Sequence, residues 1–153
     1  MPHTRAAMRE VRAEGGWGVV NPGYCSIHPS SDDLPLPYCK LWDDEDIKVH
    51  ALMVDAVHRH GALAGVELWH GGSGTGNRMT RMPLVSASGV SYDSSYPGWM
   101  NLAQSRPMDK KDIRDFRRWH VDAAKRAKSA GFDIIYIYSG MNFGPYQFLL
   151  PWM

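Results

Sequence analysis

The sequence predicts an α/β fold with a parallel sheet, a partial (β/α)8 barrel of the TIM type. Three apolar, β-prone runs at 17–21, 63–69 and 132–138 alternate with three stretches of helical spacing. Consecutive runs are connected through a helix, and such crossovers join parallel strands. Polar or aromatic residues end the runs, as expected where a barrel carries its site at the carboxyl ends of its strands. Three strands cannot close a barrel, so the chain is expected to be incomplete.

The three helices are indicated by residues typical of helix ends. Thr4 is expected to begin the first helix, and acidic residues at 43–45 begin the second, where the helix dipole favours negative charge. Asp109 and Asp112 have the spacing of a capping box at the start of the third helix. The glycines expected to end these helices are Gly15, Gly61 and Gly131.

Two connections are expected to be loops because they are rich in Pro, Ser, Gly and Asp. They cover residues 28–42 and 71–107. The second is too long for a plain connection, which favours a functional insertion or lid. Neither a dinucleotide fingerprint nor a phosphate-binding glycine loop occurs in the sequence.

Composition excludes several classes of protein. The 153 residues include 17 Lys and Arg against 16 Asp and Glu, a net charge of +1 that argues against a nucleic-acid partner. No apolar run is long enough to span a membrane, and the N-terminus lacks a secretion signal. Cys25 and Cys39 have no metal-ligand spacing, so no metal site is predicted; a disulfide stays open, although a reduced cytoplasmic protein is favoured.

The run from Glu67 to Gly72, Glu-Leu-Trp-His-Gly-Gly, resembles the signature at the end of the third barrel strand in the old yellow enzyme superfamily. This form of the signature is similar to that of its trimethylamine and dimethylamine dehydrogenase branch. The resemblance covers residues 1–153 as one partial domain, from the first helix through the fourth strand, and implies that strand 1 and strands 5–8 are absent. Other segments that resemble this branch in the same register are 13–17, 24–27, 60–66, 121–133 and 147–151.

The resemblance implies an FMN-dependent oxidoreductase that takes a hydride from a carbon beside the nitrogen of a methylated amine. It also implies a homodimeric parent with a 4Fe-4S cluster whose ligands lie outside this chain, and a fragment that is inactive alone. Two alternatives stay open. One is an NADH:flavin oxidoreductase or ene-reductase on the same barrel, and the other is a non-catalytic binding protein derived from it. The sequence does not identify the amine, the electron acceptor or the mode of flavin attachment.

Cofactor-binding residues implied by the resemblance are Gly23, Tyr24, Cys25 and Glu67. Glu67 is the most informative, because the pyrimidine edge of a flavin offers one N3–H donor that a carboxylate can accept. Cys25 is not expected to bond covalently to FMN, since the cysteine that does so in some members precedes this region.

Substrate-binding residues implied by the resemblance are Tyr24, His70, Tyr138 and Met141. Tyr24 corresponds to one wall of an aromatic bowl around a cationic nitrogen. Tyr138, also the expected catalytic residue, stands where the reductases carry the first of two histidines that bind a carbonyl oxygen. Met141 replaces the second histidine, which the amine dehydrogenases retain, so their hydrogen-bonded triad cannot form in its usual composition.

Overall fold

The computed structural model describes residues 2–33, 39–90 and 104–151. The helices within these ranges are α1 (Pro2–Glu14), α2 (Glu45–His58), α3 (Lys110–Ser129) and α4 (Gly144–Gln147). The strands are β1 (Val19–Val20), β2 (Tyr24–Ser26), β3 (Cys39–Lys40), β4 (Leu63–Trp69), β5 (Val85–Ser86), β6 (Arg106–Pro107) and β7 (Ile134–Ile137). Short 3-10 turns occupy Pro29–Ser31 and Gly72–Gly74.

Strand β4 is the centre of a parallel sheet. One of its edges pairs with β7, and the other pairs with both β1 and β2, beyond which lies β3. β1 and β2 are parts of one interrupted strand, because they follow the same edge of β4. Val19 pairs with Leu63 and Tyr24 pairs with Glu67, so this strand has one residue more than β4 between the two pairs. Gly23, within the interruption, has a φ of +103°, which suits glycine.

One face of the sheet packs against the helices. Val66 and Leu68 of β4 are fully buried there, together with Val54 and Val57 of α2 and Ala123 of α3. Fully burying an aliphatic side chain of this size contributes about 1.5–3 kcal/mol. The apolar spacing of the helices is therefore explained by a shared core on this side.

The predicted helix signals are confirmed, with differences at the ends. Asp109 and Asp112 form the expected capping box of α3, with hydrogen bonds of 2.7 and 3.0 Å from each other's backbone N–H. α1 begins at Pro2, ahead of Thr4, because proline suits the first position of a helix. α2 begins at Glu45, and Asp46 accepts a 2.8 Å hydrogen bond from the backbone N–H of Trp42 just before it.

The strand predicted at 17–21 is shorter than expected. Only Val19–Val20 is paired, and Trp17 is 61% exposed. The loop prediction for 28–42 missed β3, whose two residues are too few to show a pattern. Within 71–107, the described residues contain a parallel pair, β5 with β6, while residues 91–103 of the expected lid lie outside the described ranges.

No helix among the described residues is long and apolar enough to cross a membrane.

Candidate functional site

Three side chains lie side by side on the sheet face that is turned away from the helices. Tyr24 of β2 is in register with Glu67 of β4, which is in register with Tyr136 of β7. Since side chains alternate along a strand, Glu67 points opposite to Val66 and Leu68 in the helix-facing core. We call this side of the sheet the open face.

Four aromatic rings continue along the carboxyl-terminal part of the open face, and we call them the aromatic row. Tyr24 contacts Trp69 with ring centroids 4.7 Å apart, and Trp69 meets Phe143 edge-on at 5.3 Å. Phe143 in turn lies 6.1 Å from the ring of Tyr138. The row brings the predicted residues Tyr24 and Tyr138 into one surface. Sequence reasoning missed Phe143 as part of it, because it follows a turn and lies in none of the predicted strands.

Glu67 is half-buried beside the aromatic row. Its carboxylate forms no hydrogen bond or ion pair with a residue in 2–33, 39–90 or 104–151. A half-buried carboxylate without a protein partner is suited to accept a hydrogen bond from a ligand. This donor-acceptor chemistry fits the N3–H edge of a flavin.

Tyr24 is held by a residue that the sequence reasoning missed. Its hydroxyl group is hydrogen-bonded to the carboxyl group of Asp33, whose pKa is raised because burial disfavours the charged form. The second oxygen of that group, Oδ2, is buried and has no hydrogen-bond partner among the described residues. Asp33 therefore fixes the Tyr24 ring and adds an acceptor near it. The Pro-, Ser- and Asp-rich composition of 28–42 indicated only a loop at this position.

Tyr138 and Met141 lie on either side of a tight turn. The backbone N–H of Tyr138 donates to the carbonyl of Leu68 at 3.0 Å, which extends the sheet by one residue. Met141 and Asn142 have φ values of +49° and +60°, in the left-handed region that non-glycine residues seldom adopt. Met141 is 50% exposed, so its side chain occupies the surface beyond the turn.

His70 is enclosed in protein, and the expected contact with substrate finds no support in its surroundings. Its side chain is fully buried, its Nε2 lies 3.0 Å from the hydroxyl of Ser30, and its Nδ1 accepts from the N–H of Gly72 at 3.1 Å. Burial lowers its pKa well below the ordinary value, so the ring is neutral. Both ring nitrogens are therefore engaged inside the protein.

A stack of three rings connects His70 to the preceding loop. The ring of Trp119 of α3 stacks on that of His28, with centroids 3.7 Å apart, and lies parallel to that of His70 at 5.6 Å. The hydroxyl of Ser30 also lies 2.8 Å from Nδ1 of His28 and so bridges the two imidazoles. Burial lowers the pKa of His28 to about 4. We call these four side chains the histidine brace, because they fasten the 28–31 turn to β4 and α3.

Cys25 and Gly23 differ from Tyr24 in what they present to the open face. The side chain of Cys25 is fully buried in the helix-facing core, so any contact it makes at the open face is through its backbone. Gly23 has no side chain, and its left-handed conformation shapes the chain just before Tyr24. Glu67 and Tyr24 are therefore the members of the expected cofactor set that present side chains there.

Residues 2–153 match the NADH:flavin oxidoreductase / NADH oxidase family. Dimethylamine dehydrogenase of Hyphomicrobium sp. (strain x) is 37% identical over 154 residues, which cover 99% of this chain and 21% of that protein. NADPH dehydrogenase of Listeria welshimeri serovar 6b is 36% identical over 92% of this chain and 38% of its own length. Among solved structures, 6-hydroxypseudooxynicotine amine oxidase from Pseudomonas geniculata N1 shares 42% identity and a TM-score of 0.87, over 97% of this chain and 22% of its own.

These similarities confirm two predictions, namely the old yellow enzyme resemblance and the partial barrel fold. The chain spans 21% to 38% of the length of the two curated relatives described. The cofactor of this family of oxidoreductases is FMN, as expected from the sequence. The chain belongs to the NADH:flavin oxidoreductase / NADH oxidase family.

Proposed function

We propose that this chain forms one wall of the active site of an FMN-dependent dehydrogenase that oxidises an amine. The single observation that carries the proposal is the aromatic row beside the carboxylate of Glu67, which has no partner among the described residues. An aromatic face attracts a cation by about 2 kcal/mol or more when the site is desolvated. Dimethylamine dehydrogenase and the amine oxidase are also among the relatives.

The residues of this wall have distinct roles in the proposal. Glu67 accepts a hydrogen bond from the pyrimidine edge of FMN, and Tyr24, fixed by Asp33, presents its ring to the cationic nitrogen. Tyr138 provides a hydroxyl group at the far end of the aromatic row, where it orients the amine. When bound, FMN supplies the acceptor for a hydride from the carbon beside the nitrogen. The residues hold that carbon in place and exclude water around it.

A reductase that oxidises NADH or NADPH is the second candidate, favoured by the family itself and by the NADPH dehydrogenase relative. Paired imidazoles that bind a carbonyl oxygen would support it. Met141 stands in place of one such imidazole and Tyr138 in place of the other, while His70 is enclosed in the histidine brace. Among the described residues, no histidine belongs to the aromatic row.

The test is anaerobic reduction of the flavin in the purified parent enzyme that contains this chain, followed by absorbance. Dimethylamine and a larger primary amine are compared with NADPH, and faster bleaching by an amine is expected. Tyr24→Leu should weaken amine binding by ~10–30-fold, which corresponds to the loss of about 2 kcal/mol of cation–π attraction. Tyr24→Phe, which keeps the ring, should lose much less, and Tyr146→Leu, outside the aromatic row, serves as the control. Bleaching by NADPH alone would contradict the proposal.

A further inference from the structure

A second group of reactive side chains lies on the opposite side of the sheet from the aromatic row. Cys25 of β2 and Cys39 of β3 are partners across a parallel strand pair, and His50 of α2 lies over them. All three are buried, with at most 3% of any residue exposed. Neither cysteine is in a disulfide. We call this group the Cys2His cluster.

The spacing of the cluster is that of metal ligands. The two Sγ atoms and a ring nitrogen of His50 all lie within 4.8 Å of one another, and Cys25 Sγ is 3.9 Å from His50 Nε2. In a tetrahedral zinc site, bond lengths near 2.3 Å to sulfur and 2.0 Å to nitrogen place the ligand atoms about 3.5–3.8 Å apart. His50 Nε2 donates a 2.9 Å hydrogen bond to the carbonyl oxygen of Lys40, so the ring proton moves to Nδ1 and this hydrogen bond is given up when Nε2 binds a cation. A small inward shift of the thiols completes such a site.

The surroundings of the cluster favour the thiolate of Cys39, whereas burial and the neighbouring Cys39 raise the pKa of the Cys25 thiol, which therefore loses its proton only on binding a cation. Arg5 donates a 3.0 Å hydrogen bond to Cys39 Sγ, and the hydrogen bond from Cys25 together with Arg5 and Arg9 lowers the pKa of the Cys39 thiol. Burial lowers the pKa of His50, so its imidazole is neutral and able to bind a cation. Two thiolates neutralise the charge of a divalent cation. The hydrogen bond from Arg5 would then orient the Cys39 sulfur from outside the ligand shell.

We propose that Cys25, Cys39 and His50 form a binding site for a thiophilic divalent cation, with Zn²⁺ as the probe. Binding displaces the proton of the Cys25 thiol, and also that of Cys39 where it carries one, and both protons pass to solvent. The cation ties β3 and α2 to β2, the strand that presents Tyr24 on the open face. This site is separate from the proposed amine chemistry and does not depend on it.

The spacing of these residues along the sequence did not suggest a site, because ligand motifs usually place cysteines a few residues apart. Here the parallel register brings Cys25 and Cys39 together from positions separated by a loop. The sequence analysis predicted no metal site because it considered only the spacing of the cysteines along the chain.

The experiment uses the purified protein after removal of metals by a chelator. Addition of Co²⁺ should produce a near-ultraviolet band of thiolate-to-cobalt charge transfer, read as a difference spectrum, which Zn²⁺ then abolishes at about one equivalent. Cys39→Ser and His50→Gln should each weaken Zn²⁺ binding by more than the ~10–100-fold typical of losing an outer contact. His60→Gln, beyond the C-terminal end of α2, is the matched control and should bind as the parent does.

The spectrum of the unsubstituted protein tests for the metal site even where a variant fails to fold. A charge-transfer band that Zn²⁺ removes supports the site, as does protection of both cysteines from alkylation by Zn²⁺. Absence of the band in folded protein with two reduced cysteines overturns the proposal. A disulfide between Cys25 and Cys39 in protein purified without reductant also overturns it.

Discussion

The two faces of β4 differ in burial and in hydrogen bonding. On the helix-facing side, Val66 and Leu68 are fully buried in an apolar core. On the open face, Glu67 is half-buried and its carboxylate has no partner among the described residues. Alternate residues of one strand thus serve stability on one side and, in the proposed function, ligand binding on the other. A change on one face is expected to leave the property of the other face largely unaltered.

The largest expected effect is on stability and comes from the helix-facing side. Leu68→Ala should lower the free energy of unfolding by about 2–5 kcal/mol, because it removes a fully buried side chain and leaves a cavity. The neighbouring Glu67→Gln should change it by less than about 0.5 kcal/mol. Urea denaturation of the parent and both variants measures this difference. Equal destabilisation by the two variants would contradict the division between the faces.

The histidine brace is expected to make stability depend on pH. The pKa of His28 is lowered by burial to about 4, so the unfolded chain binds this proton at higher pH than the folded chain. Stability should therefore fall as the pH decreases from about 6.5 to about 4 and then level off, by about 1–2 kcal/mol after solvent screening. The buried His70 changes stability in the same direction.

His28→Asn tests this assignment, because an asparagine oxygen can accept the 3.2 Å hydrogen bond from Ser30 N but does not titrate in this range. Urea denaturation at pH 7 and pH 4.5 should show a smaller difference for this variant. The exposed His3→Asn is the control and should retain the parent's pH dependence. An unchanged difference in His28→Asn would exclude His28 as its source.

A smaller effect is expected on the reduction potential of the flavin when Glu67 on the open face is changed. Glu67→Gln should retain FMN, because the amide oxygen accepts the same hydrogen bond, and should raise the reduction potential by removing a negative charge. Unit charges ~6 Å apart interact by roughly 3 kcal/mol at an effective dielectric near 20, which relaxation reduces. Since about 30 mV corresponds to 1.4 kcal/mol, a rise of some tens of millivolts is expected. A dye-coupled redox titration measures it; an unmoved potential would place Glu67 away from the flavin.

The smallest effect concerns the turn after β7. Met141 has a φ of +49°, a conformation that costs a non-glycine residue roughly 1 kcal/mol or more. Met141→Gly should stabilise the protein by about 0.5–1 kcal/mol, since the added freedom of the unfolded chain offsets part of the relief. Met141→Ala, which keeps the strain, should show no gain. Thermal denaturation of the two variants, compared in one buffer, provides the measurement.

Local patterns in the sequence were sufficient for the main elements of the fold. The apolar run at 63–69 predicted β4 with its observed ends, and Asp109 with Asp112 predicted the start of α3. The short strand β3 was missed, because two residues have no periodicity and its pairing depends on distant β2. Periodicity within one segment carries no information on such long-range pairing.

The candidate site was predicted less completely than the fold. The signature motif pointed to Glu67 and the resemblance to Tyr24 and Tyr138, and their roles at a site stay predictions. Tyr136 was missed as a neighbour of Glu67, because this depends on the register between β4 and β7. Asp33 was missed because a loop folds back onto Tyr24. For His70, the signature gave the position along the chain but not the stacking on Trp119 that encloses the ring.

The extra residue between β1 and β2 makes the length of this segment as important as its composition. Val20 pairs with Ala64 in the core, whereas Tyr24, four positions later, lies on the open face; an uninterrupted strand would put both on one side. A deletion of one residue at 21–23 would remove the extra residue, and Val20 and Tyr24 would then be three positions apart, as Ala64 and Glu67 are, with Tyr24 still on the open face. A deletion here would therefore make the strand continuous along β4, and Tyr24 would keep its place opposite Glu67.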